Sequence, residues 1–246
     1  MRRAFANSVR RLRTQILGAA ITLLPLCHAG PVRAQIGASL SLDSDYRFRG
    51  VSLSQGQPTL SLDIAYDHPS GAYAGASAIA VRTTHSGAQL LGYTGYAGYA
   101  VRTPFGLAWD MGVSNTTVTE YVRHRYSYNY SELYVGVVTD NISAHVYYSP
   151  SYHGEDMGAV YADLDGAFKP VKHWRVFGHV GALSSLGGHG EQAGRRERYD
   201  LRAGVATEFE HGELRLAWTL ASPQSPYPAE RIRDRGAVVL GATYFF

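Results

Sequence analysis

Residues 37–50, GASLSLDSDYRFRG, alternate between two chemistries at every second position. Ala38, Leu40, Leu42, Ser44, Tyr46 and Phe48 form a mostly apolar face with aromatics at one end. Gly37, Ser39, Ser41, Asp43, Asp45, Arg47 and Arg49 form the other, wholly polar or small. A period of two means an extended strand, because successive side chains leave a pleated backbone on opposite sides. Such a strand either covers a soluble core or presents its apolar face to lipid and its polar face to a wet lumen. The rest of the chain separates these cases.

The alternation returns in eleven further segments: 59–67, 72–81, 89–102, 107–114, 130–139, 142–149, 159–168, 174–183, 199–209, 213–221 and 236–246. Segment 72–81 has alanine at every even position, so its faces stay unassigned. Brief turns follow the even segments: His68-Pro69-Ser70-Gly71, Thr103-Pro104-Phe105-Gly106, Asp140-Asn141, 169–173 with Pro170, and Glu210-His211-Gly212. Connections after the odd segments are longer, notably 51–58, 115–129, 150–158, 184–198 and 222–235. A soluble sandwich has no reason to alternate long and short connections, whereas an outer-membrane barrel does. The pattern predicts an all-β fold over residues 35–246. It is an antiparallel transmembrane β-barrel of about twelve strands, with short periplasmic turns and longer external loops. Unpaired strand edges in hydrocarbon cost several kcal/mol per polar group, so the last strand is expected to pair with the first.

Residues 1–34 read differently. Arg2, Arg3, Arg10, Arg11 and Arg13 precede an apolar run, Ile16 to Leu26, and Val32-Arg33-Ala34 places small residues before a cut at Gln35. This is the layout of a cleaved secretory signal peptide. The run is shorter than the roughly 20 residues a membrane-spanning helix needs. A lipoprotein signal ending at Cys27 fits less well, because Leu26 is bulky where a small residue is expected. Six of the 23 basic residues and none of the 20 acidic ones lie in this segment, leaving 17 against 20, a net charge of −3. The basic character of the whole chain is therefore no argument for nucleic acid. The single cysteine also lies there, which excludes a disulfide framework or a thiolate metal site in 35–246.

Aromatics at strand ends give a second check. Tyr66, Tyr73, Trp109, Phe168, Trp174, Phe209, Tyr244 and Phe246 are expected in one interfacial girdle, and Tyr46, Phe48 and Tyr148 in the opposite one. The inward faces collect charge: Asp43, Asp45, Arg47, Arg49, Asp63, Asp110, Glu132, Asp163, Asp165, Arg175, Arg202 and Arg215 are expected to line the pore, with Asp200 and Glu208 beside them. Both signs occur on single strands, which fits either a field across a constriction or a salt-bridged filling. Arg47 is a candidate partner for Asp63. Gly37, Gly204, Ala206 and Gly241 face inward and leave room. A hydrolytic barrel would need a nucleophile beside a base, for which His145 with Ser143, or His179 with a carboxylate, are the candidates. A lumen histidine is the simpler reading of both, and HExxH spacing and Gly-rich phosphate loops are missing. The stretch YVRHRYSYNY, 121–130, reads by default as a solvated external loop, and fits contact with lipopolysaccharide phosphates better than nucleic-acid stacking.

The motif Asp43-Ser44-Asp45-Tyr46-Arg47-Phe48-Arg49-Gly50-Val51-Ser52, followed by Gln55, Pro58 and Leu60 to Asp63, resembles the opening of the TorF-type porins. Tyr130-Ser131-Glu132-Leu133-Tyr134 is similar as well. Tyr244 and Phe246 resemble the C-terminal signal read by the barrel-assembly machinery. The resemblance implies a barrel and a pore, and carries no known substrate or binding residue. The expected function is passive diffusion of small hydrophilic solutes through a narrow charged lumen in a bacterial outer membrane. The alternatives are a plugged structural or adhesive barrel and a lipid-modifying enzyme. No enzymatic activity, metal or cofactor is expected. The expected partners are outer-membrane lipid, lipopolysaccharide and the assembly machinery.

Overall fold

The computed structural model describes residues 35–83, 86–119, 127–152, 157–186, 197–222 and 235–246; the expected signal peptide, 1–34, lies outside them. In chain order the strands are β1 (Gln35–Asp43), β2 (Arg47–Phe48), β3 (Val51–Ser52), β4 (Thr59–Asp67), β5 (Ala72–Thr83), β6 (Gly87–Arg102), β7 (Ala108–Val118), β8 (Tyr128–Val138), β9 (Ile142–Ser149), β10 (Gly158–Val171), β11 (Trp174–Leu186), β12 (Glu197–Glu208), β13 (Gly212–Ala221) and β14 (Gly236–Phe245). Twelve of them close a single barrel, each long strand antiparallel to its neighbours in the chain. β14 pairs with β1, Ser39 opposite Phe245 and Asp43 opposite Gly241, so the barrel has no free edge. β2 and β3 stand apart as a two-stranded hairpin.

The polarity is that of a soluble protein turned inside out. Leu42 and Leu133 are each 58% exposed, while Asp110 is fully buried. On β4, Leu60, Leu62, Ile64 and Tyr66 face outward and Thr59 and Ser61 inward. Tyr66, Trp109, Phe168, Trp174, Phe209, Tyr244 and Phe246 are exposed, close to the ends joined by short turns. Tyr148 is exposed toward the other end.

Three expected girdle residues are elsewhere. Tyr73 is 5% exposed and points inward, so the alanines at 74, 76 and 78 cover the lipid face of β5. Tyr46 and Phe48 lie inside the barrel, packed against its buried cluster. Their placement follows from the first strand, which stops at Asp43 instead of running to Gly50. Other boundaries also move. β7 and β8 extend into the expected 115–129 connection, and β10 continues through Pro170 to Val171. Proline lacks an N–H, and the pairing of β10 with β11 is irregular between Phe168 and Val171, where that loss is tolerated.

Glycines decide how the interior fills. Five sit directly opposite a ring on the next strand: Gly75 and Tyr96, Gly98 and Tyr73, Gly112 and Tyr134, Gly136 and His145, Gly204 and Phe177. A Cβ at any of these five would lie 2.2–2.4 Å from the ring or its hydroxyl. Tyr73, Tyr134 and His145 reach across their glycine neighbours to groups on the strands beyond. The room expected at Gly204 is therefore taken by Phe177, and that at Gly241 by Asp43 and Arg215. Ala206 is 1% exposed, so it leaves no space either.

Candidate functional site

The segment 44–58 leaves β1 and folds into the barrel. β2 and β3 pair through Arg47 with Ser52 and Phe48 with Val51, joined by the two residues Arg49 and Gly50. Both have positive φ, 47° and 79°, the requirement of the tight turn that suits the twist of a hairpin. Glycine adopts this freely; an arginine there is uncommon and needs outside support. Asp45 supplies part of it. Its carboxylate accepts hydrogen bonds from Arg47 Nε (2.7 Å), Ser52 Oγ (2.5 Å), Ser54 Oγ (2.8 Å) and the Gly56 amide (3.0 Å). Arg47 Nη1 also donates to the Gly50 carbonyl at 3.1 Å. The expected contact of Arg47 with Asp63 is not formed; the hairpin binds its own arginine instead.

The barrel wall holds the hairpin on several sides. Val51 and Leu53 are buried with Ile79, Val81, Leu91 and Val118 of β5 to β7. A Cβ on Gly50 would lie 2.6 Å from Asp200 Cβ and 2.9 Å from Ala221 Cβ, so the tip abuts β12 and β13. Arg49 is 3% exposed. Its Nη2 stands 2.9 Å from both Glu132 oxygens on β8. Its guanidinium carbon is 4.1 Å from the Tyr161 ring centroid, 5.0 Å from Phe48, and 5.4 Å from Tyr147 and from Tyr152. Each desolvated cation–π contact of this kind is worth up to about 2 kcal/mol. Burial acts to lower the basicity of Arg49, but Glu132 and the surrounding tyrosines outweigh it and hold it well above the ordinary value. The guanidinium is charged at every pH where the protein folds.

Below the hairpin the wall carries linked acid–base groups. One inward row runs Asp110, Gly136, His145, Asp163, Gly181, Asp200 and Ala221 across β7 to β13. His145 lies over Gly136 and stands 3.3 Å from Asp110 and 3.6 Å from Asp163. Tyr73 donates to Asp110 at 2.5 Å and meets Tyr134 at 2.6 Å. Tyr161 lies over Gly181 and reaches Asp200 at 3.2 Å. His179 bridges Asp165 (2.9 Å) and Asp200 (3.0 Å), and Arg202 lies 3.8 Å from Asp165. Toward the short-turn end Arg175 sits between Glu208 (3.3 Å) and Glu213 (3.1 Å), and Arg215 reaches Asp43 at 2.9 Å.

The twelve expected pore residues are turned toward the barrel interior, with Asp110, Arg175 and Arg49 almost closed off from open space, and fall into two classes. Asp43, Asp63, Asp110, Glu132, Asp163, Asp165, Arg175, Arg202 and Arg215 stand on the wall. Asp45, Arg47 and Arg49 belong to the segment that fills it. The charges interleave around the wall and pair across strands, the salt-bridged arrangement of the two considered. Among the described residues Ser143 Oγ has no hydrogen-bond partner, and His145 stands between two carboxylates, so the two are not hydrogen-bonded to each other. The aromatic environment of Arg49 was not legible as a group: Tyr147, Tyr152 and Tyr161 lie close together on β9, the connection after it and β10, but nothing local in them shows that Arg49, about a hundred residues earlier, folds in among them. A cavity of about 80 Å³ remains between the hairpin and the wall of β10 to β14, lined by Arg47, Arg49, Tyr161, Asp163, Asp165, Phe177, Arg202, Arg215 and Thr219 among others.

Comparison with solved structures places the same architecture in outer-membrane channels. The NanC porin superposes with a TM-score of 0.56 at 8% identity, over 85% of this chain and 99% of that one. The KdgM porin gives 0.52 at 12% identity over 85% and 99%. KdgM in complex with disordered oligogalacturonate gives 0.50 at 11% over 86% and 99%. At these identities the likeness concerns the fold. No curated protein matches the sequence. The chain belongs to the Gcw_chp family, bacterial proteins of unknown function, whose family model matches residues 28–236.

Proposed function

We propose that this member of the Gcw_chp family is an outer-membrane porin for small hydrophilic solutes, with segment 44–58 setting the width of its passage. The observation that carries the reading is the inverted polarity of a closed barrel: an apolar, aromatic-girdled exterior around a charged interior with a residual cavity. The fold shared with NanC and KdgM supports it, and the TorF-type motif at 43–63 agrees with it. Selectivity follows from the wall. Carboxylates outnumber arginines there, so cations are expected to pass more readily than anions. Oligogalacturonate, the acidic sugar in the KdgM complex, would meet an excess of like charge in this lumen. On this reading the chain catalyses nothing and needs no cofactor. Residues 1–34 direct export, Tyr244 and Phe246 guide assembly, and lipopolysaccharide surrounds the longer loops.

The test is single-channel recording of refolded Gln35–Phe246 in a planar bilayer. Discrete steps with a reversal potential favouring cations are expected. A barrel that inserts, shows heat-modifiable mobility on a gel and never conducts would replace this reading with a plugged structural barrel. That second reading has its own support in the depth to which 44–58 fills the lumen.

A further inference from the structure

Arg49 is a caged cation that belongs to the protein itself. Tyr147 and Tyr161 of the barrel wall, Tyr152 of the connection between β9 and β10, and one carboxylate, Glu132, surround the guanidinium. The way it is held is specific. Only Nη2 finds a carboxylate, whereas Nε and Nη1 are buried without a hydrogen-bond partner among the described residues, against ring faces. A site made of ring faces and a single carboxylate suits a weakly hydrated organic cation. It suits a small inorganic ion poorly, because such an ion must exchange its water shell for oxygen ligands. The occupant is also held under strain, at a φ of 47° that a non-glycine residue seldom adopts. The cage opens onto the lumen, since the cavity beneath the hairpin touches both Arg49 and Tyr161.

The geometry points to a lumenal subsite for organic cations bearing a guanidinium or alkylammonium group, with Arg49 as a tethered stand-in for the solute. A free cation of this class competes with Arg49 for Glu132 and Tyr161, and the hairpin tip is released when it wins. The inference rests on the channel reading only for the cation's role as a solute in transit; the binding site stands on its own geometry.

The experiment is isothermal titration calorimetry of folded Gln35–Phe246 in detergent, with methylguanidinium as titrant and potassium as the control ion. Arg49→Gly empties the cage and keeps a residue that tolerates the turn; Arg49→Asn, whose short polar side chain also tolerates positive φ, is the second variant should the first fail to fold. When a competing group leaves a site free in about 1–10% of molecules, apparent affinity falls by the same factor. Methylguanidinium is therefore expected to bind Arg49→Gly about 10- to 100-fold more tightly than the unmodified protein. Adding Glu132→Gln or Tyr161→Leu to Arg49→Gly is expected to weaken binding at least tenfold, and potassium should give no saturable heat in any of them. Equal affinity of Arg49→Gly and the unmodified chain would overturn the inference, as would double variants that bind as well as Arg49→Gly. Because no current is measured, a protein that binds but never conducts would retain the subsite and lose the porin reading. One that conducts without binding would do the reverse.

Discussion

The two halves of the lumen are closed by different means. Toward the long connections, one inserted segment fills the space, held by its own Asp45 hub and by a ring of tyrosines. Toward the short turns, the wall closes on itself through Arg175, Glu208, Glu213, Arg215 and Asp43, and the cavity lies between. The difference teaches where control can reside. A wall of paired charges is fixed by strand register and changes only with the barrel. A hairpin tied at its two ends to β1 and β4 can leave with little loss to the ladder, since its backbone bonds to the wall lie at those ends, Ser44 N–H to the Leu240 carbonyl and Arg82 N–H to the Pro58 carbonyl.

The sharpest way to break this comparison is to remove the segment. Replacing residues 46–56 by a short Gly-Ser turn should raise single-channel conductance several-fold while leaving heat-modifiability intact; unchanged conductance would mean that the wall alone sets the constriction. Next in size is Gly112→Val. A Cβ there would lie 2.2 Å from the Tyr134 hydroxyl and 2.4 Å from the Ala97 carbonyl. Overpacking of this kind costs about 1–3 kcal/mol, read as earlier thermal unfolding on gels. Gly106→Ala is a useful contrast, since its Cβ would meet nothing, although its φ of 86° adds some strain. Asp45→Ala should come third. Losing a buried acceptor of four donors costs about 1–3 kcal/mol. The loss falls on the hairpin alone, so protease should nick 44–58 while the barrel band persists. The smallest effect is expected from Arg215→Ala, which should shift the reversal potential further toward cations with little change in conductance, because the group lies on the wall beside the cavity.

How much of this was legible depended on whether a feature is local. Strand positions follow from alternation within one segment, and β4, β9 and β13 begin and end within a residue of where the pattern places them. Alternation did not mark the end of β1, because β2 is itself extended and continues the same period inside the lumen. Arg49-Gly50 is a hairpin turn, but arginine at its first position lacks the Asn-Gly signature that identifies such turns in sequence. Tyr73 is expected on the wrong face, because the alanines of its segment are neither clearly buried nor clearly exposed by chemistry and cannot correct it. Its direction is settled by Gly98 on the next strand and by Asp110 two strands away. The acid–base row from Asp110 to Asp200 has the same character. Each residue was recognisable as lumenal, while the partners are set by pairings across β7 to β12 that no single segment encodes.

The central claim, that 44–58 lies inside the barrel with its tip against β12 and β13, can be tested by disulfide trapping. Residues 35–246 contain no cysteine, so Gly50→Cys with Ala221→Cys introduces the only two thiols. A Cβ at position 50 would stand 2.9 Å from that of Ala221 and 2.6 Å from that of Asp200, at a φ of 79°, so the tip must draw back by about 1 Å to reach the roughly 3.5–4.5 Å a disulfide requires. Heat-modifiability of the unoxidised variant is the control that the barrel accepts this shift. In the folded protein, mild oxidation is predicted to join the pair almost completely, giving a species of altered mobility that reverts on reduction. Two free thiols after oxidation of a heat-modifiable, fully folded barrel would place the hairpin outside the lumen and contradict the account.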